Sequence, residues 1–359
     1  MVVICPYFAR AQAELVPETV TIQKAQVLEV TRKDDAPLRG TDVPTPMQTL
    51  KVKTLDGPDT GSIVTFDNEY IQLAAGDLFY LRHTTSTLDP IDYYSVSAPY
   101  RLNVLLGLAL VFLVLIVMFG GIQGIRGFAS LSGSLVIIFY ALIPGILHGY
   151  SPILIGIGVS SLIIVVGSYI THGFNRTTSA AVFGMIVTVM ITGIGGYFVV
   201  LAAQLSGFNS EEARYLILNT RGSIDLVALL YGGIMIGLLG VLYDIAIGQA
   251  ISVEELFRAG THMTRAQVYA RAIRIGREHI GALVNTLAIA YVGAALPLFL
   301  LMSQATYGVA YTLNTEVFAT EIVRILIGGI GLILGVPITT LIASYLLSGQ
   351  REKYTAKAP

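Results

Sequence analysis

The chain has 359 residues, of which 54% are hydrophobic and only 13% charged, with a mean hydropathy of +0.72. Soluble domains run near about 45–50% apolar and about 25% charged, so a wholly soluble globular chain is excluded. A net charge of −1 without a basic patch gives nucleic acid no footing, and the single cysteine, Cys5, excludes an internal disulfide or a cysteine-based zinc site.

The apolar excess is uneven. Residues 14–92 carry thirteen acidic and seven basic side chains, whereas from residue 102 onward long apolar runs dominate. This pattern predicts a polytopic membrane protein with a small soluble domain at its N-terminal end. The opening "MVVICPYFARAQA" joins a short apolar stretch to the small-x-small "AQA" at 11–13. It lacks the basic n-region and the apolar run of about 7–15 residues of a complete signal peptide. Residues 1–13 are therefore read as the remnant of a signal peptide or anchor, with residues 14–100 facing outward.

Residues 20–96 alternate with period two in "TVTIQKAQVLEVTRK" and "MQTLKVKTLDG". "GSIVTFDNE", "DLFYLRH" and "DYYSVSA" follow, separated by Gly, Pro and Asp turns. Five short strands in this span predict a small OB-like or SH3-like barrel, an architecture without a single function.

Apolar runs follow near 102–120, 131–148, 153–170, 179–203, 225–249, 280–302 and 322–347, seven in all, each long enough to cross hydrocarbon as a helix. With the barrel outside, the inner segments hold ten positive residues: Arg126, Arg176, Arg258, Arg265, Arg271, Arg274, Arg277, Arg351, Lys353 and Lys357. The outer juxtamembrane segments hold three, Arg101, Arg214 and Arg221. The bias predicts the N-terminal domain outside and the tail 350–359 in the cytoplasm. Within 251–279, Val268, Ala272 and Ile275 share a face opposite Arg271, Arg274 and Arg277, which predicts an amphipathic cytoplasmic segment on anionic headgroups.

Ionisable groups inside the spans are few, and each costs about 2.5–3.5 kcal/mol at mid-bilayer on insertion scales. Asp244 lies in the middle of the fifth run, with Gln249 beyond it and Asn285 on the next run at the same predicted depth. These three are the candidate coupling or ion-path residues. Gly240 and Gly248 flank Asp244 on one helix face, leaving room for a cation, a water or another helix. Glu321 and Arg324, at i,i+3 near the outer end of the last run, are the candidate ion pair or outer gate. Gly233 and Gly237, and likewise Gly331 and Gly335, make GxxxG pairs; with Gly240 they mark close helix packing. No HExxH, GxSxG or Walker A sequence occurs, Asp244 has no second carboxylate for a protease dyad, and the histidines lack metal-ligand spacing. The expectation is a non-enzyme without metal or cofactor.

The runs "GLLGVLYDIAIGQAISVEEL", "MTRAQVYARAIRIGREHIGALVNTLAIAYVGAALPLFLL" and "NTEVFATEIVRILIGGIGLILGVPITTLIASYLL" resemble the YibE/F family. "THGFNRTTSAAVFG" and "EEARYL" are similar as well, and the N-terminal domain looks like that of the longer, YibE-type members. The resemblance implies a multipass protein of the bacterial plasma membrane, with a second family member or another copy of the chain as a partner. A shorter pattern, Asp244, Glu254 and "AALPLF", looks like the core of RND-type permeases and SecD/SecF export proteins. The function expected is a permease or permease subunit coupled to protons or cations through Asp244. The alternative is a non-transporting assembly or regulatory subunit whose outer domain binds a partner.

Overall fold

The computed structural model describes residues 18–37, 44–69, 71–86, 92–260, 262–304 and 307–350. Residues 1–13, read in the sequence as a signal or anchor remnant, and the cationic tail (Arg351, Lys353, Lys357) lie outside them. The chain divides into two compact units, Met1–Leu115 and Ile116–Pro359.

The first unit is an antiparallel half-barrel sheet. Its strands are β1 (Glu18–Pro37), β2 (Pro44–Thr54), β3 (Ile63–Asn68), β4 (Leu78–Ser86) and β5 (Asp92–Pro99), in the order β3-β2-β1-β4-β5. Alternation decides which face is covered. Ala25 and Val27, Leu50 and Val52, and Phe79 and Leu81 all point inward and are buried. Strand β1 serves both hairpins: its first half pairs with β4, and its later residues with β2 across register shifts after Val27 and Val30. The buried Gln48 amide is satisfied by Leu73, donating to its carbonyl at 3.0 Å and accepting from its N–H at 2.8 Å.

The helices are α1 (Leu102–Ile137), α2 (Ile143–Leu147), α3 (Pro152–His172), α4 (Arg176–Ala202), α5 (Glu211–Asn219), α6 (Leu226–Ala259), α7 (Arg265–Ala294), α8 (Leu296–Ser303), α9 (Val309–Asn314) and α10 (Glu316–Leu346). A π-helical turn, Ile138–Leu142, joins α1 to α2. Five helical stretches are long and apolar enough to cross a membrane: Leu102–Leu147, Pro152–His172, Arg176–Ala202, Leu226–Ala259 and Glu316–Leu346. The bent pair α7–α8, turned by 69°, makes a sixth if it counts as one span. Pro297 explains that bend: it has no N–H for the helix ladder and its ring would clash with the carbonyl one turn back, and the chain leaves helical values at Ala295 (φ −94°, ψ 13°).

The sequence reading expects seven spans, and the difference lies in the first two runs. They form one helical stretch, interrupted at Gly121, whose φ of 54° and ψ of −139° fall outside helical values. A methyl group on Gly124 would come within 2.4 Å of the Ile116 carbonyl oxygen. Residues eight apart on a straight helix are separated by about 12 Å, so the chain folds back sharply here. Arg126, expected in a loop, lies on the helix beyond this break.

Helix α6 runs through the centre of the second unit, against α3, α4, α7 and α10. Asp225 caps its start, accepting from Ala228 N–H at 2.9 Å. Gly331 and Gly335 of α10 admit α6 closely: methyl groups there would lie 2.3 Å from Leu238 Cδ1 and 2.6 Å from Leu242 Cδ1. The stretch 251–279 divides between the end of α6 and the start of α7. Thr264 and Gln267 form a capping box that begins α7 afresh. Val268, Ala272 and Gly276 are the buried face of α7, while Ile275 is exposed.

Candidate functional site

Asp244 sits where periodicity puts it, on one stripe of α6 with Gly240, Gly248 and Ser252. This stripe is turned away from the α10 side of the helix. Asp244, Gly240 and Gly248 are exposed, and methyl groups on either glycine would touch nothing within 4 Å. Opposite the stripe, α7 presents His279, Ala282 and Leu283, spaced i, i+3 and i+4. Between the two helices lies a cavity of about 370 Å³. Its polar lining consists of Asp244, His279, Ser252 and Gln249. Among the described residues the Asp244 carboxylate has no hydrogen-bond partner, so it is available to a ligand or to water.

Of the two residues expected beside Asp244, Gln249 lines the same cavity and Asn285 does not. Gln249 is buried, and its Nε2 donates to the Ala272 carbonyl at 2.7 Å and to Thr340 Oγ1 at 2.9 Å. Through this nitrogen it ties α6 to α7 and α10 at one end of the groove. Asn285 is exposed on α7 and does not line the cavity. The helical turn that carries Ala282 and Leu283 to α6 carries Asn285 around the helix. His279 was passed over in the sequence because a lone histidine without metal-ligand spacing reads as interfacial. No sequence signal separates it from the other histidines, because its place depends on how α7 is rotated against α6.

The charged pair lies towards the other end of the α6–α7 seam. Arg324 Nη1 donates to Glu321 Oε1 at 2.9 Å, and the two side chains are 25% and 20% exposed. The guanidinium carbon lies 5.8 Å from the centre of the Tyr291 ring. The Arg324 Nε is buried and has no partner among the described residues. Tyr291 reaches from α7 to α6, where its hydroxyl would be 2.0 Å from a methyl on Gly237. Of the five glycines read as packing positions, Gly237, Gly331 and Gly335 therefore make close approaches. Gly233 and Gly240 have open space beside them.

Glu316, which the sequence reading did not single out, anchors α10. Its carboxylate accepts from Ser206 N–H at 2.7 Å, Ser206 Oγ at 2.7 Å and Gly207 N–H at 2.6 Å. On the other side of α6, the start of α4 is held to Glu254, which accepts from Thr177 Oγ1 at 2.6 Å and pairs with Arg258 at 3.3 Å. Glu254 therefore stabilises a helix N-terminus, and it lines a cavity separate from that of Asp244.

A family model described as YibE/F-like protein matches residues 108–349, and the chain belongs to that family. No curated protein and no solved structure matches it.

Proposed function

We propose that this YibE/F-like protein is a plasma-membrane permease, or a subunit of one, and that Asp244 is the residue that takes up the coupling ion. The observation carrying this reading is the α6–α7 groove: an unpartnered carboxylate, an imidazole and a hydroxyl share a cavity of about 370 Å³ between otherwise apolar helices. An intramembrane ionisable residue is costly and is retained where it serves a pathway or a partner. Counting α1 as two crossings about Gly121 and α7–α8 as one brings the five apolar stretches to seven crossings. With the bias of Lys and Arg, seven crossings support a reading with the β-domain outside, the α6–α7 connection in the cytoplasm, and Glu321–Arg324 at the outer end of the groove. The strand order, with β1 shared by two hairpins and β3 and β5 at the edges, supports a partly open barrel of the OB kind.

A second reading rests on the exposure of the α6 stripe. Gly233, Gly240 and Gly248 border open space, and small residues are where membrane helices approach one another. Asp244 would then dock a helix of another copy or of a second YibE/F-like protein, in a non-transporting assembly subunit. Reconstitution into liposomes under imposed pH and cation gradients separates the two. Permease function predicts a flux that Asp244→Asn lowers at least about tenfold with normal folded yield. Loss of oligomer without loss of any flux favours the second reading.

A further inference from the structure

Within the α6–α7 cavity, the described lining contains two titratable groups, Asp244 and His279. We propose that the ion bound here is a proton, shared by Asp244 and His279 through water in the cavity, and that metal cations are not ligands of the site. The inference rests on the permease reading for its purpose, but its test does not depend on transport.

The donor set is thin for a metal cation. Ser252 Oγ donates to the Gly248 carbonyl at 2.8 Å, which occupies that carbonyl oxygen, and the Gln249 Nε2 is spent on Ala272 and Thr340. The oxygens left to face a cation are the Asp244 carboxylate, the Ser252 lone pairs and Gln249 Oε1. Calcium takes about 6–8 oxygen ligands and magnesium a near-octahedral shell, so much of either shell would be water. A softer metal would use the imidazole, but among the described residues no group of three His, Cys, Asp or Glu side chains is placed to hold one. A proton asks less of the site: one lone pair on each side and a water between.

The geometry supplies both. Asp244, Gly248 and Ser252 lie at i, i+4 and i+8 on α6, facing His279, Ala282 and Leu283 on α7. The cavity of about 370 Å³ is several times the ~30 Å³ that one water takes up. Among the described residues no other charged side chain lines it. Arg277 and Glu278 neighbour His279 on α7 but do not line the cavity, and neither do Glu316, Glu321 and Arg324 of α10. Arg258 pairs with Glu254 and Glu255, further along α6.

Dicyclohexylcarbodiimide tests the inference on the full chain in detergent. The reagent adds to a protonated carboxyl: the acid proton moves to a carbodiimide nitrogen and the carboxylate oxygen bonds to the central carbon. Peptide mass spectrometry should find Asp244 modified, with labelling that falls about tenfold per pH unit on the alkaline limb. Excess sodium, potassium, magnesium, calcium or zinc chloride should leave it within about twofold of a choline control. His279→Gln should move the labelling profile by about half a pH unit or more, because interacting sites titrate together. Protection of about tenfold by any one cation would overturn the proton assignment. A His279→Gln profile that superimposes on the wild type would remove His279, and an Asp244 that is unlabelled at every pH in folded protein would end the proposal. Labelling as expected in a protein that carries no flux would sink the permease reading and leave the proton site standing.

Discussion

Along α6, the side facing α10 is filled and the side facing α7 is open, although glycine recurs on both. Against α10, the glycines belong to the partner helix. Leu238 and Leu242 fill the space left by Gly331 and Gly335, and both leucines are fully buried. Against α7 the arrangement is reversed. The glycine in the cavity, Gly248, belongs to α6, and α7 offers His279, Ala282 and Leu283 opposite it. Tyr291 closes this second seam on Gly237 at one end, and Gly276 closes it on Gln249 at the other. Glycine opposite leucine makes a tight joint; glycine opposite alanine leaves a cavity, and Asp244 is in it.

The contrast is most sharply broken at a single methyl-bearing position on each side. Gly331→Val forces atoms against Leu238 in a joint that has no slack. It should cost about 3 kcal/mol, with a matching loss of folded yield. Gly240→Val meets nothing within 4 Å and should change stability by less than about 1 kcal/mol. Thermal unfolding of the two variants in detergent checks the pair. Equal losses would mean that the α7 side is as closed as the α10 side.

A smaller effect is expected at the charged end of the open seam. Glu321 and Arg324 satisfy each other at 2.9 Å, three-quarters or more removed from solvent. Removing one leaves its partner unpaired, so Glu321→Gln and Arg324→Gln should each cost about 1–2 kcal/mol. The double variant should recover part of that loss. Double-variant stability equal to the sum of the two losses would show that the groups do not support each other.

How much of this was legible in the sequence varies with the physics. Period-two alternation exposed the inward face of the sheet, since Ala25, Val27, Leu50 and Val52 obey it. The apolar runs located the helices, but not the sharp break at Gly121. That break depends on one backbone conformation, and the neighbouring glycines Gly107, Gly120, Gly124 and Gly127 of the same stretch stay helical. Asp244 stood out because its charge interrupts an apolar run. Its neighbours did not, because their roles depend on helix rotation. A few residues along α7 separate His279, which lines the cavity, from Asn285, which does not. Gln249 lines the same cavity, but its Nε2 is committed to Ala272 and Thr340. Glu316 carries no sequence signal, because the N–H groups it accepts from lie 110 and 109 residues earlier.

The smallest effect expected is in the β-domain, at a carboxylate that is the counterpart of Asp244 in one respect: its partners are present. Asp92 Oδ1 lies 3.0 Å from His83 Nε2 and accepts from Thr85 Oγ1 at 3.2 Å. His83 stacks on Tyr94 with ring centres 4.5 Å apart, and its Nδ1 faces Asp59 Oδ2 at 3.3 Å. The hydrogen bond from His83 holds the Asp92 carboxyl below its usual value, with a lesser contribution from Thr85. A carboxyl depressed in the folded state stabilises it above the unfolded pKa, and the contribution is lost as pH falls through the lower, folded value. The contact between β4 and β5 should therefore hold at neutral pH and loosen only in acid, below the ordinary range of an aspartate. Hydrogen exchange in β5 of the full chain, followed from neutral to acid pH, should show this late rise in the wild type. In Asp92→Asn the acid-dependent step should be absent and exchange already faster at neutral pH. A wild-type rise that persists unchanged in the variant would assign the acid step to another carboxylate, with Asp59, on the far side of the same imidazole, the first to replace.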